Sequence, residues 1–101
     1  MIKSGVKFEG LHAIWSIAYP IVLYTYRNVV PGIDPVITSG SDGKHKTNSF
    51  HYSGKALDFR TKNIPEHKLQ VLLPILRQNL GENFDVVWET DHLHIEYDPK
   101  D

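Results

Sequence analysis

The chain has 101 residues, 41% of them apolar, and a net charge of -1 with histidine neutral. That length suits a single domain over residues 1–101, and the charge offers no basic field to attract nucleic acid or an anionic membrane surface. The lack of cysteine excludes disulfides, thiolate zinc sites and thiol nucleophiles.

Met1 to Phe8 lacks the uninterrupted apolar run of a signal peptide. The richest apolar stretch, Ile14 to Tyr24, contains Ser16 and Pro20 and is too short to span a bilayer. The expectation is a soluble protein made in the cytoplasm without membrane insertion, which a separate route would have to deliver to any target outside. From Leu11 to Asn28, Leu11, Ile14, Trp15, Ala18, Val22 and Tyr26 recur at the spacing of one helix face. Pro20 lacks a donor and clashes with the preceding turn, so a helix in two pieces is predicted. His12, near the helix start, reads as a surface or capping residue.

Pro31 to Pro35 is a turn by composition, and Val36-Ile37-Thr38 a short strand. A polar loop then runs from Ser39 to Ser49. A loop of that length in a small domain is usually functional or mobile, and its proximity to His51 favours function. Lys55 to Lys62 alternates as a half-buried strand, with Leu57 and Phe59 on one face and Ala56, Asp58 and Arg60 on the other. A second helix opens with Asn63 as cap and Pro65 and Glu66 in its first turn. It buries Leu69, Leu72, Leu73 and Leu76 and ends at Leu80-Gly81, with a bend allowed at Pro74.

Phe84 to Glu89 and His92 to Asp98 are two further strands joined tightly at Thr90-Asp91, hence antiparallel neighbours. On the last strand Leu93, Ile95 and Tyr97 face the core, while His92, His94 and Glu96 face away from it. The architecture predicted is α+β, a small antiparallel sheet with helices packed on one face.

Burying the leucines forces Asp58 and His94 onto the opposite face, where they can converge with His51. Two imidazoles and one carboxylate, with a fourth position left to water, are the donor set of a hydrolytic zinc site. A His and an Asp seven apart, or a His-x-His on a strand, carry little weight alone. The residues around them carry more.

Ser49-x-His51-x-x-Gly54-x-Ala56-x-Asp58, followed by Asp91-His92-x-His94 on a late strand, resembles the zinc D-Ala-D-Ala carboxypeptidases and their relatives. Those relatives include the vancomycin-resistance D,D-dipeptidases and the L-alanyl-D-glutamate peptidases of phage endolysins, and their fold is shared with the Hedgehog signalling domain. Ile37-Thr38-Ser39-Gly40 is similar to the family's strand leading into the site, and the similarity runs from about Val36 to Tyr97.

The resemblance implies that His51, Asp58 and His94 bind zinc and that Asp91 is the catalytic carboxylate. Glu89 is the rival for that role, at another offset but with a longer reach. His92 is implied to be a polar neighbour that hydrogen-bonds substrate or transition state; otherwise it is a plain exposed strand residue. Ser49 would hydrogen-bond near the site, and Gly54 would let the chain turn into the Asp58 strand. Many relatives carry an arginine upstream of the first His, whereas here the loop offers Lys44, His45 and Lys46. His45 or a lysine such as Lys46 would then supply the positive charge. Arg60 shares the face of Asp58 and either reaches the cleft edge or stays solvated. The implied function is hydrolysis of peptide bonds in bacterial peptidoglycan stems, as carboxypeptidase or endopeptidase, in a phage or prophage lysis setting. The alternative is an inactive zinc-bearing module that binds peptidoglycan or protein.

Overall fold

The computed structural model of the protein describes residue 2 and residues 12–40 and 54–99. Helix α1 spans Trp15–Val29 and helix α2 Glu66–Leu80; the strands are β1 (Ile37–Ser39), β2 (Ala56–Arg60), β3 (Phe84–Glu89) and β4 (His92–Tyr97). The strands form one antiparallel sheet in the order β1-β2-β4-β3. This is the α+β arrangement expected. Among the described residues, no helix is long and apolar enough to cross a membrane.

Period-two burial gives the sheet a core face made by Leu57, Phe59, Val86, Leu93 and Ile95. Both helices cover that face. Trp15, Ala18, Val22 and Tyr26 of α1 meet Leu69, Leu72, Leu76 and Leu80 of α2 in one core cluster with the strand residues. The three-and-four spacing of each set builds the apolar stripe that a helix needs to lie on a sheet. A polar contact also ties the helices together. The Asn79 amide donates to Thr25 Oγ1 at 2.9 Å, and the Thr25 hydroxyl donates to the Ile21 carbonyl at 2.8 Å. In the last turn of α2, Arg77 donates twice to the Val86 carbonyl, at 3.0 and 2.8 Å, fastening the helix to the edge strand β3.

Several local expectations need correction. Pro20 does not divide α1, which is continuous from Trp15 to Val29, and Pro74 likewise lies inside α2. Each proline and the residue four before it, Ser16 and Gln70, lie on the exposed side of the helix. The carbonyl that loses its donor therefore faces water, which lowers the usual penalty of an interior proline. Asn63 does not cap α2. Its amide donates to the Asp34 carbonyl at 3.3 Å, while Pro65 occupies the cap position without a side-chain bond. Leu73 is only partly buried, and Leu80 completes the stripe instead. His12 does act at the helix start, its Nδ1 accepting from the Ile14 N–H at 3.0 Å.

Two features position β2. Gly54 holds φ at 73°, a left-handed conformation that a side chain would strain, just before the strand begins. β2 then runs between β1 and β4, and Ala56 and Asp58 are buried although they point away from the helices. The strand is thus buried on both faces and not half-buried, as alternation alone suggested. Residues 41–53, with His45, Lys46, Ser49 and His51, lie outside the described residues.

Candidate functional site

The face of the sheet away from the helices is organised by strand register. β2 against β4 sets Asp58 opposite His94 and Arg60 opposite His92. β3 against β4 sets Asp85, Val87 and Glu89 opposite Glu96, His94 and His92. Two histidines of one strand are thereby flanked by carboxylates from both neighbours and from their own strand.

His94 is held at both ring nitrogens. Its Nδ1 lies 2.9 Å from Asp58 Oδ1 and its Nε2 2.8 Å from Glu96 Oε1. The hydrogen bond to Asp58 raises the pKa of the ring; burial opposes the shift, and Glu96 adds to it. Only an imidazolium donates to both carboxylates at once. A neutral ring whose one N–H goes to Glu96 presents the Nδ1 lone pair beside the Asp58 oxygen. With a carboxylate at each nitrogen, either neutral tautomer keeps one of the two hydrogen bonds. Imidazole nitrogen and carboxylate oxygen then face each other across the contact.

His92 forms a second junction. Its Nδ1 lies 2.7 Å from Asp91 Oδ1, and its Nε2 is 3.5 Å from Glu89 Oε1 and 3.7 Å from Asp58 Oδ2. One imidazole therefore links the exposed Asp91 to the buried Asp58. The hydrogen bond from His92 and the charge of its ring hold the Asp91 carboxyl below its ordinary range, with Lys62 contributing. From the other side, the Thr38 hydroxyl reaches the Asp58 backbone carbonyl at 3.4 Å.

A cleft of about 360 Å³ adjoins this pair of junctions, lined by Thr38, Arg60, Lys62, Asn63, Asp91 and His92. Asp58 and His94 do not line it, whereas His92 does. A broader hollow of about 670 Å³ lies on the other side of His94, where Glu96, Asp85 and Val87 contribute to its wall.

Of the residues singled out by sequence, Asp58, Arg60, Asp91, His92 and His94 fall together around this face. His51, Ser49, His45 and Lys46 lie outside the described residues. Three contributors were not singled out. Glu96 shares strand parity with His92 and His94, a signal that was available in the alternation. Thr38 and Lys62 could be placed only once β1, β2 and the β4 turn were assembled.

The donor set can be tested against zinc. Bonds of about 2.0–2.2 Å at tetrahedral angles separate neighbouring ligand atoms by about 3.3–3.6 Å. Asp58 Oδ1 and His94 Nδ1, at 2.9 Å, would need to part by about half an ångström. Glu96 on the remote nitrogen is the carboxylate–histidine arrangement that fixes a ligating ring. As two ligands the pair would have to turn from each other toward a shared ion and would need a third donor, the place the resemblance implies for His51, which lies outside the described residues. Among the described residues, only Asp85, Glu96 and Asp98 form a trio whose ligand atoms lie within 4.8 Å of one another, and acidic groups at a surface often cluster so without an ion. No protein-family model matches the sequence, and no curated protein matches it.

Proposed function

We propose that the protein is a zinc peptidase that hydrolyses peptide bonds in the stems of bacterial peptidoglycan. In this reading it is a small relative of the D-Ala-D-Ala carboxypeptidases and phage L-alanyl-D-glutamate peptidases, with the fold they share with the Hedgehog domain. The observation that carries the proposal is the Asp58–His94 contact at 2.9 Å, with Glu96 on the other ring nitrogen. It supports a ligand pair that the motif spacing had already suggested.

In this mechanism His51, Asp58 and His94 hold the ion, and Glu96 keeps His94 in the tautomer whose Nδ1 is a donor to metal. Zinc so held supplies a Lewis acid and a water acidified toward neutral pH. Asp91 takes a proton from the attacking water and returns it to the leaving amine nitrogen as the C–N bond breaks. Asp91 is ionised at neutral pH, and the hydrogen bond from His92 that lowers its pKa makes it a weaker base than a free carboxylate. His92 fixes Asp91 through Nδ1, and its Nε2, when protonated, can donate to the oxygen that gains charge in the tetrahedral transition state. A phage or prophage lysis role follows from the same family resemblance.

The test combines metal analysis of the purified protein with mass spectrometry of defined muropeptides after incubation. Near-stoichiometric zinc and a shortened stem support the proposal. Zinc without cleavage points instead to an inactive zinc-bearing binding module. Absence of zinc binding after loading defeats both.

A further inference from the structure

We infer that the outer face of the helix layer is a self-association surface, on which α1 of one copy packs antiparallel against α1 of a second copy. The inference does not depend on the peptidase reading, since this face lies on the far side of the helices from the sheet and its histidines. On α1, Ile17 and Tyr24 are 63% and 65% exposed, and the exposed Pro20 lies between them on the same line of the helix. On α2, Val71 is 50% exposed, with the exposed Pro74 three residues on. A surface helix turns charged and polar residues to water. Trp15–Val29 carries a single charged residue, Arg27, while its inner face already fills the core with Trp15, Ala18, Val22 and Tyr26. A helix that is apolar on both sides is suited to lie between two partners, and the sheet is only one of them.

Spacing and charge identify the second partner as another copy. A two-fold axis between Pro20 and Ile21 sets Ile17 of each copy against Tyr24 of the other, so the face is its own complement. In that arrangement the two Arg27 positions are about 20 Å apart along the helices, well beyond the ~8 Å over which charges act in physiological salt. A parallel pairing would instead bring the two guanidinium groups together. Ser16 and Arg27 border the strip, so the free Ser16 carbonyl stays at its wet rim. A lipid surface suits the face less well, because a helix lying on an anionic bilayer carries several Lys or Arg and α1 has one. Area agrees with a dimer. Two 15-residue helices, each about 22 Å long and about 10 Å wide, present roughly 440 Å² in projection. Side-chain corrugation raises the accessible area toward the about 600–1,000 Å² per partner of a specific interface. Half of that projection, α1 alone, falls short, so Val71 and Pro74 of α2 belong to the contact. The histidine-bearing faces of such a dimer point away from each other.

Sedimentation velocity of the full chain, from about 1 μM to about 1 mM, reads the assembly. A monomer–dimer equilibrium is expected. Ile17→Glu and Tyr24→Glu should each weaken it at least about a hundredfold, because the two-fold axis buries every substituted carboxylate twice. Val87→Glu, at a 46% exposed apolar residue on the opposite face, should leave the dimer intact. Circular dichroism checks that the variants stay folded, and should either glutamate unfold the chain, Val71→Glu takes its place. The direction of packing is read separately in the cysteine-free chain. Ile17→Cys and Tyr24→Cys proteins, mixed and oxidised, should give mixed disulfides far in excess of chance pairing. An excess of like pairs overturns the antiparallel arrangement. A wild type that stays monomeric, an assembly larger than two, a dimer that survives either glutamate, or equal weakening by Val87→Glu overturns the surface. A monomer that floats with phosphatidylglycerol vesicles, and loses that property in Ile17→Glu, assigns the face to lipid instead.

Discussion

Replacing Glu96 with glutamine removes a charge from the remote nitrogen of His94 while leaving a hydrogen-bond acceptor of nearly the same shape. In the structure, Glu96 Oε1 is 2.8 Å from Nε2, and the side chains of Glu96 and His94 are 24% and 16% exposed. The contact is therefore sheltered enough for its electrostatic part to be felt. Loss of a carboxylate in this position typically lowers metal affinity about 10- to 100-fold, or about 1.4–2.7 kcal/mol. The assay is zinc titration against a competing chelator at several pH values. Glu96 also helps to raise the His94 pKa, so the variant's ring gives up its proton more readily. Protons compete less with metal in the variant, and its deficit should shrink as the pH is lowered below neutral. Glu96→Leu, which removes the acceptor as well, should lose more. An affinity for Glu96→Gln within twofold of wild type, at every pH tested, would refute the role given to Glu96 and the choice of Nδ1 as the ligating nitrogen.

Three further outcomes are expected. Asp91→Ala should retain zinc and lose about 10²–10⁴ in kcat, the usual contribution of a general base, whereas a larger loss in Glu89→Gln would move that role to Glu89. With metal chelated, the raised pKa of His94 contributes stability that is complete below about pH 6.5, the value of the unfolded ring, and is lost as pH rises through the higher folded value. Thermal unfolding should show that decline, and saturating zinc should reverse its direction, because zinc binds the deprotonated ring. Thr25→Val should cost about 1 kcal/mol in urea unfolding, since it removes the hydroxyl that joins Asn79 to α1; an unchanged midpoint would mean that the link adds nothing.

The element types were legible because each is a local pattern. The α2 leucines recur every three or four residues, and β4 alternates cleanly, so their buried faces follow from backbone geometry alone. The error at Pro20 had a specific source. A proline rule names the lost hydrogen bond but not whether the orphaned carbonyl, that of Ser16, looks into the core or into water. The misplaced cap at Asn63 is similar, since its amide was drawn away by Asp34, distant in sequence. Asp58, Arg60, His92 and His94 were assigned to one face by parity, and that face is where they lie.

Parity, however, survives a slip of two residues. Ala56 or Arg60 set opposite His94 would keep every apolar side chain in the core, so the sequence by itself fixed which residues share a face but not which of them touch. That choice was made by the order β1-β2-β4-β3 and the pairing of Asp58 with His94, contacts 36 residues apart in the chain. Long-range pairing depends on how the whole core closes around Leu57, Phe59, Leu93 and Ile95, and no local period encodes it. The same closure brought Lys62 and Thr38 to the cleft and left Arg60 facing it, which is why the charge of the site became visible only in three dimensions.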